Sequence, residues 1–257
     1  DYIRFEKMTL KRTGTNERYA RIVTLGNGAH RNVIEDCEII GFPVNTADYS
    51  EDQALFFDIK GSIDNYNSII GNTFLYGAQA IVMYGINQNS TSNQLNLVVS
   101  GNTISGQYGD AVFIQSAQNL TFTYNKVTNS SPNLNNNLVT LYKVQYMQVT
   151  HNEMHKTGGR FRKGLALEFC VGDASNYLNV ANNIVSCEVV NNIQSYNELF
   201  AFSLNYGQYV NFNYNSAHLY STGTGAATYS AALRMNFSYY VRAVSYTHLR
   251  AHETEAD

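Results

Sequence analysis

One short pattern recurs along most of the chain and constrains its fold more than any other feature. An apolar residue stands three positions before an asparagine, and a second apolar residue stands two positions after it. The pattern occurs in seven segments: NVIEDCEIIG (32–41), NSIIGNTFLYG (67–77), LVVSGNTISG (97–106), LTFTYNKVTN (120–129), MQVTHNEMHK (147–156), LNVANNIVSC (178–187) and VNFNYNSAHL (210–219). The anchor positions are Cys37, which is the exception, and Asn72, Asn102, Asn125, Asn152, Asn183 and Asn215.

A second pattern precedes each anchor and alternates with period two, which is typical of a strand with one buried face. The alternation predicts seven inward-facing pairs: Leu55/Phe57, Ile81/Met83, Val112/Ile114, Val139/Leu141, Leu165/Leu167, Phe200/Phe202 and Leu233/Met235. Each repeat therefore contains at least two short strands joined by an asparagine-centred turn.

The repeats favour a parallel β-helix over other repeat architectures. Successive anchors are 35, 30, 23, 27, 31 and 32 residues apart, which is too short for the four strands of a propeller blade. Helical repeats would need long stretches rich in Ala, Glu and Leu, whereas this chain is rich in Asn, Thr, Tyr and Val. Stacked coils explain the asparagines, because Asn tolerates a left-handed backbone at a turn and stacked amides form a hydrogen-bonded ladder.

At these repeats the chain resembles the right-handed parallel β-helix superfamily of pectate-lyase-like proteins, whose short repeats read N-x-I-x-x-N-x-I-x-G. The resemblance covers residues 32–236 and implies an all-β, single-domain solenoid of about seven coils. The superfamily contains lyases, hydrolases, epimerases, adhesins and phage spikes, so the fold by itself does not identify the function.

The last residues, VSYTHLRAHETEAD (244–257), break the repeat pattern and suddenly concentrate His and charge. Residues 244–254 resemble the translation of a transposase-type sequencing-library adapter. We therefore expect a β-helix domain over residues 1–243 and a non-native tail over 244–257. We also expect that the native protein continues past residue 243, so that flanking domains are missing from this chain.

The composition narrows the classes of partner. Charged residues make up 14% of the chain and the formal net charge is −3, which argues against a nucleic-acid partner. No apolar run approaches the length of a membrane-spanning helix. The three cysteines, Cys37, Cys170 and Cys187, have no C-x-x-C spacing, which favours buried free thiols over zinc or a disulfide framework.

The alternation also predicts which residues stack along one outer face. One predicted column contains Asp58, Tyr84, Gln115, Tyr142, Glu168 and Ser203. A second, just before the strands, contains Gln79, Asp110, Asn137, Lys163 and Glu198. The column between them is small or apolar: Phe56, Val82, Phe113, Thr140, Ala166 and Ala201, ending at Arg234.

This combination of side chains suits a sugar polymer, because sugars stack on aromatic rings and form hydrogen bonds at their edges. We expect a polysaccharide to contact Asp58, Tyr84, Asp110, Gln115, Tyr142, Glu168 and Glu198. Alternatively, these polar residues only keep the strand surface soluble and discourage pairing at the edge.

The stretch EMHKTGGRFRKG (153–164) is the most charged in the chain and leads directly into the Lys163–Glu168 strand. Two glycines permit a sharp reversal there, which would direct Arg160, Arg162 and Lys163 toward the outer face. In β-elimination of uronic-acid polymers a cation neutralises the sugar carboxylate and a Lys or Arg removes the α-proton. These three residues are therefore candidate catalytic groups, although the stretch is also compatible with anionic-ligand contact or a solvated bulge.

The resemblance implies Ca²⁺ held by acidic residues, for which Asp110, Glu153 and Glu168 are candidates by residue type. However, the chain lacks the superfamily's lyase signature around a catalytic Arg and the paired-Asp motifs of polygalacturonase-like hydrolases. No residue can be assigned a catalytic role from the resemblance.

Three functions remain open. The first is a secreted or cell-surface module, of a kind found on bacterial surfaces, that engages polysaccharide without catalysis. The second is a polysaccharide lyase or glycoside hydrolase acting on acidic glycans. The third is a structural spacer of a larger surface protein. The secreted or surface location is itself inferred from the resemblance.

Overall fold

Three parallel β-sheets run side by side along the described chain. The computed structural model describes residues 2–14, 21–43, 53–86, 94–129, 136–157, 161–189, 198–221, 229–244 and 247–250. Within these ranges the chain forms strands β1 to β28 and no α-helix. Each coil contributes one strand to each sheet, so the fold is a parallel β-helix as the sequence predicts.

Sheets A and B flank the asparagine turns and each contain nine strands among the described residues. Sheet A consists of β1 (Arg4–Glu6), β4 (Val33–Glu35), β7 (Ser68–Ile70), β11 (Val98–Ser100), β15 (Thr121–Thr123), β18 (Gln148–Thr150), β21 (Leu178–Ala181), β24 (Gln208–Asn213) and β27 (Tyr239–Val244). Sheet B consists of β2 (Thr9–Lys11), β5 (Glu38–Ile40), β8 (Thr73–Leu75), β12 (Thr103–Ser105), β16 (Lys126–Asn129), β19 (Glu153–Lys156), β22 (Ile184–Val189), β25 (Ser216–Ser221) and β28 (Thr247–Arg250).

Sheet C, which carries the predicted outer face, has eight strands in the described part of the chain. They are β3 (Val23–Leu25), β6 (Ala54–Asp58), β9 (Gln79–Tyr84), β13 (Val112–Gln115), β17 (Asn136–Tyr142), β20 (Phe161–Glu168), β23 (Glu198–Asn205) and β26 (Tyr229–Asn236). A short pair, β10 (Gln94–Leu95) and β14 (Ala117–Gln118), lies at the corner between sheets C and A.

The anchor asparagines form a buried ladder between sheets A and B. The Oδ1 atom of each anchor accepts hydrogen bonds from both the main-chain N–H and the side-chain Nδ2 of the anchor one coil earlier, as from Asn102 to Asn125 at 3.0 Å each. The Nδ2 of Asn125 also donates to the carbonyl of Val99 at 3.0 Å. At the start of the ladder the Cys37 main-chain N–H donates to Asn72 Oδ1 at 2.9 Å, and Cys37 contributes no amide group of its own.

The left-handed backbone lies one residue earlier than we predicted. The anchors themselves do not have positive φ, whereas the residue before each anchor does, for example Tyr124 at 56° and His151 at 58°. The asparagine is therefore selected for its two-way hydrogen bonding, and the preceding residue makes the turn. Glycine occupies that preceding position at Gly71 and Gly101, where positive φ carries little strain.

The core consists of inward-facing apolar side chains stacked from coil to coil, including one such column on each of sheets A and B. On sheet A these are Ile34, Ile69, Val99, Phe122, Val149, Val180 and Phe212, and on sheet B Ile39, Phe74, Ile104, Val127, Met154, Val185 and Ala217, all buried as predicted. Each such side chain contributes roughly 1.5–3 kcal/mol by leaving water. The three cysteines are free and buried.

Two inward pairs on sheet C were predicted in the wrong register. Phe57 aligns with Val82 and lies on the outer side, while Phe56 aligns with the inward Ile81. In β23, Phe202 and Leu204 align with Leu165 and Leu167, so Phe200 lies outside.

The reason is the local sequence of these strands. ALFFD and ELFAFSL carry apolar residues on both faces, and period-two alternation cannot choose between registers one or two residues apart.

Residues 247–250 form β28, which pairs in parallel with β25. The backbone of this segment thus continues sheet B, although its origin as a non-native tail stays a prediction. Residues 251–257 lie outside the described part of the chain. None of the described residues forms a helix that could span a membrane.

Gly164 in β20 lets sheet C approach sheet B closely. A Cβ at this position would lie 2.6 Å from the Ala201 carbonyl oxygen and would collide with the Val185 side chain. We therefore expect Gly164→Ala to lower the free energy of unfolding by about 1–3 kcal/mol, measured by urea denaturation. Gly207→Ala is the control, because a Cβ there meets atoms no nearer than 3.5 Å. An equal loss in both variants would contradict this explanation.

Candidate functional site

The outer surface of sheet C, called the sheet C face below, carries three columns of side chains parallel to the solenoid axis. The column at the ends of the strands is Tyr84, Gln115, Tyr142, Glu168, Asn205 and Asn236. The middle column is Phe57, Val82, Phe113, Thr140, Ala166, Ser203 and Arg234. Near the starts of the strands lie Asn137, Lys163, Phe200 and Ala231, with Asp110 beside Asn137.

Most of the residues predicted for this face lie on it. Tyr84, Gln115, Tyr142 and Glu168 occupy neighbouring coils of one column, in the predicted order. Asp110, Asn137 and Lys163 lie together at the other side of the face.

Several predicted positions need correction because of the register errors in β6 and β23. Asp58 is fully buried inside the solenoid rather than on the face. Ser203 aligns with Ala166 in the middle column, and Asn205 takes the place beside Glu168. Glu198 pairs with Tyr229, so Phe200 is the neighbour of Lys163.

The charged stretch that leads into β20 is only partly within the described chain. Arg160 lies outside the described residues, and the backbone of Arg162 lies in β20, with its side chain not described. Glu153 lies on sheet B beside Lys126 and His155, with carboxylate-to-nitrogen distances of 3.8 and 3.9 Å, and so does not join Asp110 and Glu168.

Asp110, Asn137, Thr140, Lys163 and Glu168 form a compact group, called the Asp110 cluster below. Asp110 Oδ1 accepts the Asn137 main-chain N–H at 2.8 Å, and its Oδ2 accepts the Thr140 hydroxyl at 3.1 Å. Asn137 Nδ2 donates to Thr140 Oγ1 at 3.0 Å. The first two bonds join Asp110, which lies two residues before β13, to β17, and the third lies within β17. Four of the five side chains of the cluster therefore project from strands of sheet C.

Burial is the main reason why the pKa of Asp110 rises to about 6. The two hydrogen bonds from Asn137 and Thr140 oppose this rise, the nearby Glu168 carboxylate adds to it, and the Lys163 ammonium opposes it. Asp110 can therefore hold or release a proton close to neutral pH, which is the range that suits acid–base chemistry.

Lys163 and Glu168 form an ion pair on the same strand. Their Nζ–Oε1 distance is 2.5 Å, and their side chains are 17% and 23% exposed. Gly164 and Leu165–Leu167 separate them along β20, so the Lys163 side chain extends along the outside of the strand to reach the carboxylate. The contact engages the ammonium group that we predicted to act as a base.

One acceptor in the Asp110 cluster has no protein partner. Asn137 Oδ1 is buried and receives no hydrogen bond within the described structure. A buried amide oxygen without a donor costs roughly 1–3 kcal/mol.

Aromatic rings adjoin the cluster along the face. The Tyr84 ring contacts Phe57 and Phe113, with ring centroids 5.9 and 5.4 Å apart. The Tyr142 ring contacts Phe169 edge-to-face at 5.6 Å. Tyr84, Phe113 and Tyr142 remain partly exposed, so they offer apolar surface beside the polar cluster.

A strip of stacked rings at the edge of the face was not predicted. Phe169, Tyr206 and Phe237 stack on one another, with centroids 4.7 and 4.9 Å apart and nearly parallel planes. All three have positive φ, which places them in the turn directly after sheet C. The available signal is that each follows the last outward residue of its strand, namely Glu168, Asn205 and Asn236.

The candidate Ca²⁺ ligands do not form a cation site in this arrangement. Both oxygens of Asp110 already accept hydrogen bonds, Glu168 is paired with Lys163, and Glu153 is on another sheet. In the described ranges no group of three His, Cys, Asp or Glu side chains is placed to hold a metal ion. We therefore derive no chemical step through Ca²⁺.

Comparisons with known proteins support the fold. No known protein family and no curated protein matches this sequence. The chain is similar to the native crystal structure of a GH136 lacto-N-biosidase from Eubacterium ramulus, with a TM-score of 0.50 and 12% sequence identity. The match covers 90% of this chain and 44% of that chain. The selenomethionine derivative of the same enzyme gives a TM-score of 0.47 with the same identity and coverage.

This chain therefore spans less than half of the length of that structure. At such low identity the likeness concerns the β-helix fold, and it confirms the predicted fold class.

Proposed function

We propose that the protein binds a polysaccharide along the sheet C face. The observation that carries the proposal is the Asp110 cluster, in which two carboxyl groups and an ammonium group lie beside partly exposed aromatic rings. Sugar rings present C–H faces that pack on aromatic rings and hydroxyl groups that bond to amides and carboxylates. Aromatic and polar side chains suited to these two kinds of contact both occur along the sheet C face, on neighbouring coils.

The charges of the cluster favour a neutral glycan over a uronic-acid polymer. Asp110 and Glu168 carry two carboxylates, and the single described cation between them, Lys163, is already paired with Glu168. A uronate would add a further negative charge to this site, and like charges repel strongly where water is scarce.

Glycoside hydrolysis is the second candidate. Asp110, with its pKa raised to about 6 by burial, could protonate a leaving oxygen near neutral pH, and Glu168, paired with Lys163, supplies the second carboxyl group. A pair of carboxyl groups with different environments is the arrangement that such acid catalysis requires. The ion pair between Lys163 and Glu168 makes β-elimination by Lys163 less suitable, because the ammonium group is engaged rather than available as a base.

A secreted or cell-surface location and the whole protein's activity are parts of this proposal. They draw support from a fold that also occurs in a glycoside hydrolase. The remaining alternative is a structural spacer that makes no glycan contact through sheet C.

The test is to incubate the protein with a panel of neutral and uronate-containing polysaccharides and to measure co-sedimentation, new reducing ends and new unsaturated ends. We expect retention on a neutral polysaccharide. New reducing ends that Asp110→Asn abolishes would establish hydrolysis. New unsaturated ends that a chelator suppresses would instead establish a Ca²⁺-dependent lyase. Absence of both retention and cleavage would contradict the proposal and favour the spacer.

A further inference from the structure

Two aspartates meet inside the solenoid, away from the sheet C face. Asp58 is the last residue of β6, and Asp64 lies in the corner that leads from sheet C to sheet A. Both side chains have 0% exposure, as does Gln94 in β10 one coil further on. Gln94 Nε2 donates to Asp58 Oδ2 at 3.4 Å and to the Asp64 main-chain carbonyl at 2.9 Å, so the three groups are held together.

The hydrogen bonds leave one oxygen of each carboxylate without a donor. Asp64 Oδ1 accepts the Ala29 main-chain N–H at 2.6 Å, whereas Asp64 Oδ2 and Asp58 Oδ1 are buried and have no partner in the described structure. The Asp64 carboxyl group lies within hydrogen-bonding reach of Asp58. Two ionised carboxylates this close at zero exposure would repel each other in a medium of low dielectric. One proton between them removes the repulsion and gives both oxygens a partner.

We infer that Asp58 and Asp64 share one proton: Asp58 is protonated, and its O–H group donates a hydrogen bond to the Asp64 carboxylate. This hydrogen bond, called the latch below, stabilises the corner 59–65 in a pH-dependent way. Residues 59–63 and Asn65 of this corner line a surface cleft of about 490 Å³ together with Asn27, Gly28 and His30.

The electrostatic surroundings agree with this assignment. Burial is the main reason why the pKa of Asp58 lies far above its ordinary value, and the adjacent Asp64 adds to the rise. Other ionisable groups near the corner are engaged elsewhere: the Lys60 ammonium lies over the Tyr84 ring at 4.5 Å, and His30 Nδ1 accepts the Asn65 N–H at 2.9 Å. In the described residues Asp64 is thus the charge that acts on Asp58.

The latch predicts a definite sign of pH dependence. The unfolded chain releases the Asp58 proton near its ordinary pKa of about 4, whereas the folded chain retains it to much higher pH. The contribution of the pair to stability is therefore fully present below about pH 4 and is lost progressively as pH rises. The unfolding equilibrium constant should increase by about tenfold per pH unit from this group.

The experiment is urea unfolding of the protein and of Asp58→Asn from about pH 5 to about pH 8. An amide at position 58 supplies a donor to Asp64 without a titrating proton. We expect the variant to lose the tenfold-per-unit dependence, so that the ratio of the two unfolding constants changes with pH while histidine contributions cancel. Asp173→Asn is the control, since hydrogen bonds from Ser175, Tyr146 and Asn176 lower the pKa of Asp173 and it is ionised over this range.

Parallel pH profiles of the protein and Asp58→Asn would overturn the inference. A midpoint that rises with added Ca²⁺ and falls with chelator, only while both aspartates are present, would also overturn it, because the two oxygens would then hold a cation. If Asp58→Asn does not fold, Asp64→Asn serves instead, since its new amide also supplies a donor. The infrared C=O band of a protonated carboxyl group at neutral pH, lost in Asp64→Asn, provides a second measurement; absence of that band from the unmodified protein would overturn the inference.

Discussion

Replacing Asn152 by leucine should cost about 3–6 kcal/mol of unfolding free energy, because it breaks the asparagine ladder at its middle. Asn152 is fully buried, and its Oδ1 accepts both the main-chain N–H and the Nδ2 of Asn125, at 2.9 and 3.0 Å. Its Nδ2 donates to the Phe122 carbonyl and to Asn183 Oδ1, both at 2.9 Å. Leucine has the same branched arrangement of side-chain heavy atoms and supplies none of these bonds, so several buried polar groups lose their partners together.

The measurement is equilibrium urea unfolding, with Asn179→Leu as the matched control. Asn179 also bonds to the neighbouring coil, through Nδ2 to Gln148 Oε1 at 2.8 Å, but this bond lies at the surface where water can replace it. The control should change stability by less than about 0.5 kcal/mol. Similar losses for both variants would show that the buried ladder is not a main source of stability.

Replacing Tyr142 by alanine should weaken polysaccharide binding about tenfold, the effect of losing roughly 1.4 kcal/mol of ring–sugar contact. Tyr142 lies on the sheet C face between Gln115 and Glu168, and its ring is oriented by the edge-to-face contact with Phe169. Tyr142→Phe should retain most of the affinity, because it keeps the ring and removes only the hydroxyl group.

Tyr124→Ala is the control for this prediction. Tyr124 is 64% exposed but lies at the turn between sheets A and B, stacked on His151 with ring centroids 4.9 Å apart. Its loss should leave the affinity unchanged when both variants are titrated with the polysaccharide that the protein retains. An equal loss of polysaccharide affinity in Tyr124→Ala and Tyr142→Ala would contradict binding at the sheet C face.

The sequence predicts the solenoid well because its strongest signal is local and repeated. The spacing around Asn102 or Asn152 specifies two short strands and the turn between them, and the structure confirms the buried apolar residues on both sides. The anchors also specify their own stacking partners, because each buried side-chain amide forms hydrogen bonds with the anchor of the next coil. These bonds join residues 23 to 35 positions apart, yet they can be predicted from the sequence because the same pattern recurs in each coil.

The register of sheet C was harder to predict where apolar residues occupy both sides of a strand. Phe56 and Phe57 are both buried, one in the main core and one in a small cluster outside it with Ala54 and Val82. Alternation therefore could not place Asp58, which lies inside. Where the outer positions carry polar groups, as beside Val139 and Leu141, the prediction of the outer residues Thr140 and Tyr142 was correct.

Contacts that depend on the path of a corner could not be predicted at all. Asp58 and Asp64 meet because the intervening residues turn back, and Gln94 joins them from the next coil. The stacking of Phe169, Tyr206 and Phe237 also depends on the path of the chain. Each residue has positive φ in the turn that follows its sheet C strand, and this turn brings the three rings together.

The most direct test of polysaccharide binding on the sheet C face uses the double variant Asp110→Ala/Lys163→Ala. The polysaccharide that the protein retains is titrated into the protein and into the variant, with folding of the variant verified by circular dichroism. These side chains belong to the Asp110 cluster, which carries the proposal for the sheet C face. We expect the double variant to lose measurable affinity. Unchanged affinity in a folded double variant would contradict it and would place the glycan contact elsewhere on the solenoid.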